Sequence, residues 1–375
     1  MLPTNKTYPH AMLREIFEQP SAIADTLNAY SDGSSLREEV FEPALRALVA
    51  KESLLISASG SSRHAGLFGE ILFEDLAGIP VDVEYASEYI YRSTHTLKNP
   101  CFLVISQSGE TADTSEALRE ATARGTTTIA ITNKPESSMA KLADCSLPTM
   151  AGAERAIPAT KSFTTQLTVL SLLSLFTARI RGRMTRAVVE SHLHELHTVP
   201  EAMAAALPRW EAQVSALSTT LQSTESFLFL GRGVHYPIAR EGALKLKESA
   251  YIQAEGYPTG ELKHGPNALV NRHTPLVVLA TCDPHAPDSL LRYEKTVNLL
   301  RDMKKQGAEV ISIVNEGDTQ IAELSRHTIS IPQCEEYISP IYEVVPLQLL
   351  AYFMATGRRI DVDNPRNLVK AVVQE

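Results

Sequence analysis

The run Ser106-Gln107-Ser108-Gly109-Glu110-Thr111 gathers three hydroxyls, an amide and a glycine directly ahead of the helix-forming stretch ADTSEALREATARG. Backbone N–H groups at a helix start, together with the helix dipole, suit a phosphate. A second turn, Ser59-Gly60-Ser61-Ser62, could bring the hydroxyls of Ser61 and Ser62 to the same ligand. Each turn also reads as ordinary N-capping, but two of them at successive strand ends favour an anion. Neither is followed by GK[ST], so nucleotide hydrolysis is not expected. Lys245 and Glu248 share a helical face at i and i+3. They are either a surface ion pair or a carboxylate base with a charge partner. His264, within Lys263-His264-Gly265-Pro266, could exchange a proton near neutral pH. Lys370 offers an amine that could attack a carbonyl, or is one more lysine near a frayed end. His192, His194 and His197 lack the HExxH spacing, and a solvated connecting helix is the expectation there.

These residues need elements to hold them. SLLISASG (53–60), CFLVISQSG (101–109) and TTTIAITN (126–133) are short apolar runs ending at Gly, Ser or Asn and separated by helix-like sequence. That alternation predicts βαβ units and a parallel sheet. SFLFLGRG (226–233), PLVVLATC (275–282) and EVISIVNE (309–316) repeat the plan, the first two about 173 residues later. Two doubly wound α/β domains fit better than one large sheet. Ligands of such sheets bind where loops leave the carboxyl ends of the strands, which is where the two hydroxyl-rich turns fall. Gly231-Arg232-Gly233, the matching turn of the second half, has no serines, so one substrate site per chain is expected. A Leu/Ala/Glu-rich helical stretch, roughly 182–222, joins the halves.

The chain has 375 residues and a formal charge of -9, which argues against non-specific nucleic-acid binding. Its four scattered cysteines form no CxxC pair and point to free thiols in a reducing cytoplasm. The start carries no signal core, and the apolar stretch Leu167–Phe176 is too short to span a bilayer and reads as a buried helix. No metal, organic cofactor or membrane association is expected.

SQSGETADT (106–114) resembles the phosphate-binding segment of the SIS (sugar isomerase) family. The similarity runs on through LAGIP (76–80) with ASE (86–88), TKSFTTQ (160–166), EGALKLKE (241–248), GELKHGP (260–266) and DVDNPRNLVK (361–370). Within the family the chain is similar to the isomerase domain of glucosamine-6-phosphate synthases and to stand-alone SIS deaminases. The resemblance implies two tandem SIS domains of flavodoxin-like, doubly wound form at 30–182 and 205–360. A helical segment (1–29), a helical linker (183–204) and a tail closing on the site (361–375) complete it. It implies phosphate on Ser106, Gln107, Ser108 and Thr111, with Ser61, Ser62 and Ala159 contacting the sugar. Glu248 would move the proton between C1 and C2, Lys245 stabilise charge, His264 open the ring, and Lys370 form a Schiff base. A homodimer is implied, His264 reaching the neighbouring subunit's site.

Two departures bear on the reaction. Met1-Leu2-Pro3 replaces the nucleophilic cysteine that opens the synthase's glutaminase, so glutamine-dependent synthesis is not expected of this chain alone. Ala159 stands where those synthases carry serine, as in the deaminases; GELKHGP and DVDNPRNLVK look more like the synthase. The expectation is conversion of glucosamine-6-phosphate to fructose-6-phosphate and ammonia. The alternatives are an aldose–ketose isomerase or deglycase, an ammonia-using synthase subunit with a separate glutaminase, or a non-catalytic phosphosugar sensor.

Overall fold

The computed structural model describes residues 7–92 and 97–373, so the Met1-Leu2-Pro3 departure lies outside the described residues. The chain forms two compact units, each assembled from separated stretches. The N-terminal unit takes Glu18–Glu154, Lys161–Pro200 and Val369–Glu375; the C-terminal unit takes the residues up to Phe17, Arg155–Thr160 and Glu201–Leu368. The chain passes between the units more than once, for a local reason. The first helix, α1 (Ala11–Phe17), carries Glu15, which is fully buried and accepts the Arg155 and Ala156 N–H groups at 2.6 and 3.3 Å. Asp363 caps α1 by accepting the Ala11 and Met12 N–H groups, both at 2.8 Å.

In the N-terminal unit α2 (Gln19–Tyr30) and α3 (Glu38–Leu48) precede five parallel strands. The strands are β1 (Ser53–Ala58), β2 (Val81–Tyr85), β3 (Pro100–Ser106), β4 (Thr127–Thr132) and β5 (Cys145–Pro148). Between them lie α4 (Gly60–Leu72), α5 (Ala86–Tyr89), α6 (Ala112–Ala123) and α7 (Ser138–Leu142), and α8 (Lys161–Ile180) follows. The order β2-β1-β3-β4-β5 is the flavodoxin order, with its switch point between β1 and β3. Leu55, Phe102, Val104 and Ala130 point to one face, where Ala117, Leu118 and Ala121 of α6 and Met139 of α7 cover them. The Ile56 side turns to α4 and α8, where Gly66 and Gly69 let the helix approach Ile56 and Leu170. Helix α8 is longer than its apolar centre implied. It runs 20 residues, and an 18-residue window of it with mean hydropathy 1.3 has the length and composition of a membrane span, yet 89% of that window is buried among the other elements. It is the core helix of its unit.

The helix expected between the halves is continuous from Arg186 to Leu221 (α9). Its His197 Nε2 lies 2.6 Å from the Ser31 hydroxyl.

The C-terminal unit repeats the plan with β6 (Ser226–Gly231), β7 (Gln253–Pro258), β8 (Leu276–Leu279), β9 (Val310–Asn315) and β10 (His327–Ile331), all parallel in the order β10-β9-β8-β6-β7. That is the flavodoxin order read from the other edge. Helices α11 (Pro287–Lys305) and α12 (Thr319–Leu324) cover Leu228, Leu230, Leu276 and Val278 on one face. Helices α10 (His235–Ala250) and α13 (Ser339–Gly357) lie on the other. Gly242 sets the seat of α10: a Cβ there would stand 2.7 Å from Leu347 of α13 and 2.9 Å from the Phe229 ring. Every larger residue would lift the helix that carries Lys245 and Glu248 off its sheet.

Candidate active site

At the carboxyl end of β3 the chain turns through Gln107–Thr111 into α6, and the hydroxyls of this turn converge. Ser106 Oγ lies 3.0 Å from Thr111 Oγ1 and 3.5 Å from Ser108 Oγ, and accepts the Gly109 N–H at 3.1 Å. Thr111 occupies the N-cap of α6 without capping it through its side chain, and Ser59 is the same at α4. The hydroxyls of this turn therefore meet one another and the turn's own N–H groups, Ser108 Oγ accepting that of Glu110 at 3.1 Å, rather than capping the helix. Gly109 makes the turn possible: it sits at φ +65°, and a Cβ would come within 2.1 Å of Ser137 Oγ. The Glu110 carboxylate is turned outward, accepting the Ser138 N–H at 2.7 Å, which lowers its pKa. Across the switch point, Ser62 Oγ accepts a hydrogen bond from Gln166 of α8 at 3.0 Å, and Ser61 lies beside it in the first turn of α4.

The end of the tail reaches this turn within the same unit. Val372 C=O accepts the Ala112 N–H, in the first turn of α6, at 2.9 Å. Lys370 Nζ lies 2.6 Å from Oε2 of Glu154, whose side chain is fully buried. Glu154 also accepts the N–H and hydroxyl of Ser162, at 3.1 and 2.7 Å. Glu154 has no local sequence signal, because its partner lies 216 residues away.

In the C-terminal unit Lys245 is completely buried on α10, with Nζ 2.5 Å from Glu248 and 3.3 Å from Glu241. Burial alone would lower its pKa; the two carboxylates outweigh that and raise it. Lys245 is therefore held as a cation, suited to steadying charge and aiming Glu248 rather than to passing a proton. Glu248 keeps 22% of its side chain open to solvent, whereas Glu241 is sealed. Glu241, absent from the sequence-based set, was within reach of helical spacing, since it stands at i and i+4 with Lys245.

His264 ends the short 3-10 segment Thr259–His264, exposed ahead of Gly265 at φ +148°. Ala159 lies in the Arg155–Thr160 segment of the C-terminal unit, where Ile157 N–H bonds to Asp363 C=O at 2.9 Å. The tail turn is secured in that unit as well: Tyr251, at φ +56° just past α10, accepts the Arg366 N–H at 2.6 Å, and the Arg366 guanidinium lies 4.2 Å from its ring centre. The structure thus brings Ser106, Ser108 and Thr111 together, with the Val372 end of the tail, and separately joins Lys245 to Glu248. His264 and Ala159 belong to neither group.

At the second sheet's switch point the chemistry is different. Thr281, after β8, donates to Glu343 at 2.5 Å, and His235, at the start of α10, lies 2.9 Å from the same carboxylate. His235 is also 3.6 Å from Glu336, which Arg292 grips through Nε at 2.8 Å. Burial alone would push the His235 pKa down, but Glu343 and Glu336 raise it from 6.5 to about 9. Its contribution to stability is complete below pH 6.5 and is lost as pH rises through 9. Denaturant unfolding is expected to show a loss on the order of 3 kcal/mol across that window. His235→Gln should lack this slope; identical slopes in the two proteins would mean that His235 is not charged in the fold. Glu343 was visible as the one carboxylate inside an otherwise apolar helix, PIYEVVPLQLLAYFM.

Two flavodoxin-order sheets in one chain, one with a hydroxyl-rich turn at its switch point, define a tandem α/β protein. The chain belongs to the SIS domain family, whose profile matches residues 47–175 and 220–357. It is 45% identical over 371 residues to the glutamine–fructose-6-phosphate aminotransferase (isomerizing) of Bordetella parapertussis, covering 98% of this chain and 59% of the relative. The chain thus spans less than two thirds of that relative's length. Among solved structures, the C-terminal domain of glucosamine-fructose-6-phosphate aminotransferase from Francisella tularensis matches at TM-score 0.89 and 35% identity, covering 96% of this chain and 98% of that one. Glucosamine-6-phosphate deaminase from Thermotoga maritima matches at TM-score 0.72 and 26% identity, covering 97% and 100%.

Proposed function

We propose that this chain interconverts glucosamine-6-phosphate and fructose-6-phosphate plus ammonia by proton transfer between C1 and C2. The reading rests above all on Glu248, a carboxylate left partly open to solvent and aimed by a buried lysine. The hydroxyls of Ser106, Ser108 and Thr111, with Gln107, take the phosphate; Ser61, Ser62 and Ala159 contact the sugar. His264 assists ring opening. Glu248 removes the C2 proton and returns it to C1 while a proton moves from the amine to O1, so the amino-aldehyde becomes a C2 imine. Water adds to that imine, directly or after exchange onto Lys370, and ammonia leaves. The exposure of His264 supports its service to a second subunit in a homodimer.

The likeness to the Thermotoga deaminase, and alanine at 159, favour the deaminating direction. The higher identity to the aminotransferases favours a second reading, synthesis from fructose-6-phosphate and externally supplied ammonia. One assay separates them from the rest: purified protein with glucosamine-6-phosphate is expected to release ammonia and fructose-6-phosphate in equal amounts. Formation of glucosamine-6-phosphate alone, from fructose-6-phosphate and an ammonium salt, would select the synthetic reading. Sugar-phosphate binding with no conversion of either compound overturns both.

A further inference from the structure

The ion pair between Lys370 and Glu154 carries more than the placement of an amine. The Glu154 side chain is fully buried while 26% of the Lys370 side chain is exposed, with 2.6 Å between Nζ and Oε2. On its far side the carboxylate is fixed by the Ser162 N–H and hydroxyl. Those donors stand at the first turn of α8, where the helix dipole also favours negative charge. An anion is thus held rigidly against the one nitrogen proposed to bond to carbon.

Resting on the role proposed for Lys370, we propose that Glu154 is the counter-ion of the positively charged imine that Lys370 forms with the sugar's C2. In that step the amine lone pair makes the N–C2 bond and the C2–O bond breaks. The oxygen leaves as water with one proton from the nitrogen and one from solvent; the nitrogen keeps its other proton and a positive charge. No oxidant or reductant is involved. The protonated imine is the form whose C2 water or ammonia attacks readily, and a carboxylate in hydrogen-bond contact favours that protonated form. Glu154 is then a catalytic residue, touching the reacting nitrogen itself.

The test uses two probes on the full chain. Fructose-6-phosphate with sodium cyanoborohydride, which reduces protonated imines, is read as a mass gain on the Lys370 peptide. Pyridoxal 5′-phosphate, an aldehyde that also carries a phosphate, is read by the visible band of its protonated imine. Glu154→Gln is expected to lower both signals roughly 10- to 100-fold, the range for hydrogen bonds to charged groups. Glu154→Asp should recover part of the loss. Ser162→Ala, which weakens only the far-side anchorage, should leave the band in place. Wild-type signals in Glu154→Gln, or an equal loss in Ser162→Ala, overturn the proposal and reduce Glu154 to a cap of α8. A sugar that is never trapped, beside a pyridoxal band that depends on Glu154, overturns the Lys370–sugar imine and with it the proposal, and leaves the proposed function only its direct route, water on the C2 imine. No adduct at Lys370 with either probe overturns the proposal likewise; loss of the proposed function is read separately, from glucosamine-6-phosphate that releases no ammonia.

Discussion

Glu248→Gln is expected to lower kcat by roughly a thousandfold, within the range of a lost general base, while the affinity for a phosphosugar stays within a few-fold of wild type. The amide is nearly isosteric and still accepts a hydrogen bond from Lys245, so α10 keeps its place. The hydroxyls proposed to take the phosphate lie on β3 and its turn, 130 residues or more away in sequence, and are untouched. The change therefore removes an interaction of the transition state and little ground-state binding. Kinetics on glucosamine-6-phosphate, paired with calorimetric binding of the same compound, provide the check. A variant that turns over at the wild-type rate would remove Glu248 from the chemistry, and an equal loss of binding would make it a structural residue.

Lys245→Met is expected to cost about 3–5 kcal/mol of stability, the penalty for breaking a buried ion pair from one side. No solvent screens this site: Lys245 and Glu241 are both 0% exposed, so the variant leaves a sealed carboxylate without its cation. The double variant Glu241→Gln/Lys245→Met should regain most of the loss, because it removes both charges from the interior. Denaturant unfolding of both variants tests the pair. A loss below about 1 kcal/mol in the single variant is the figure for exposed ion pairs; it would mean that water reaches Lys245, contrary to the packing of α10 on α13. Turnover of the double variant then reports what Lys245 does for Glu248 apart from stability.

The six apolar runs visible in the sequence became β1, β3, β4, β6, β8 and β9, the interior strands of the two sheets. The four strands not visible, β2, β5, β7 and β10, are the four sheet edges. Interior strands of a parallel sheet are covered on both faces and must read as continuous apolar runs. An edge strand is half open: β2 exposes Asp82 and Tyr85, and β7 begins on the exposed Gln253 and continues through Glu255, Gly256 and Tyr257. Their hydrophobic signal is too thin to separate from loop.

The site divides along the same line. The hydroxyl-rich turn and the Lys245–Glu248 face are local, since each depends on residues a few positions apart, and the family resemblance is a series of short runs in order along the chain; the sequence alone was enough to point to them. Glu154 against Lys370, His235 between Glu336 and Glu343, and Val372 on the first turn of α6 depend on residues roughly 100 to 260 positions apart. Such pairs leave no spacing to read. They exist because a buried charge must find a partner wherever the packed chain delivers one. The sequence determined which groups were available for chemistry; the tertiary structure decided which of them stand in low dielectric beside an opposite charge, and so which can act.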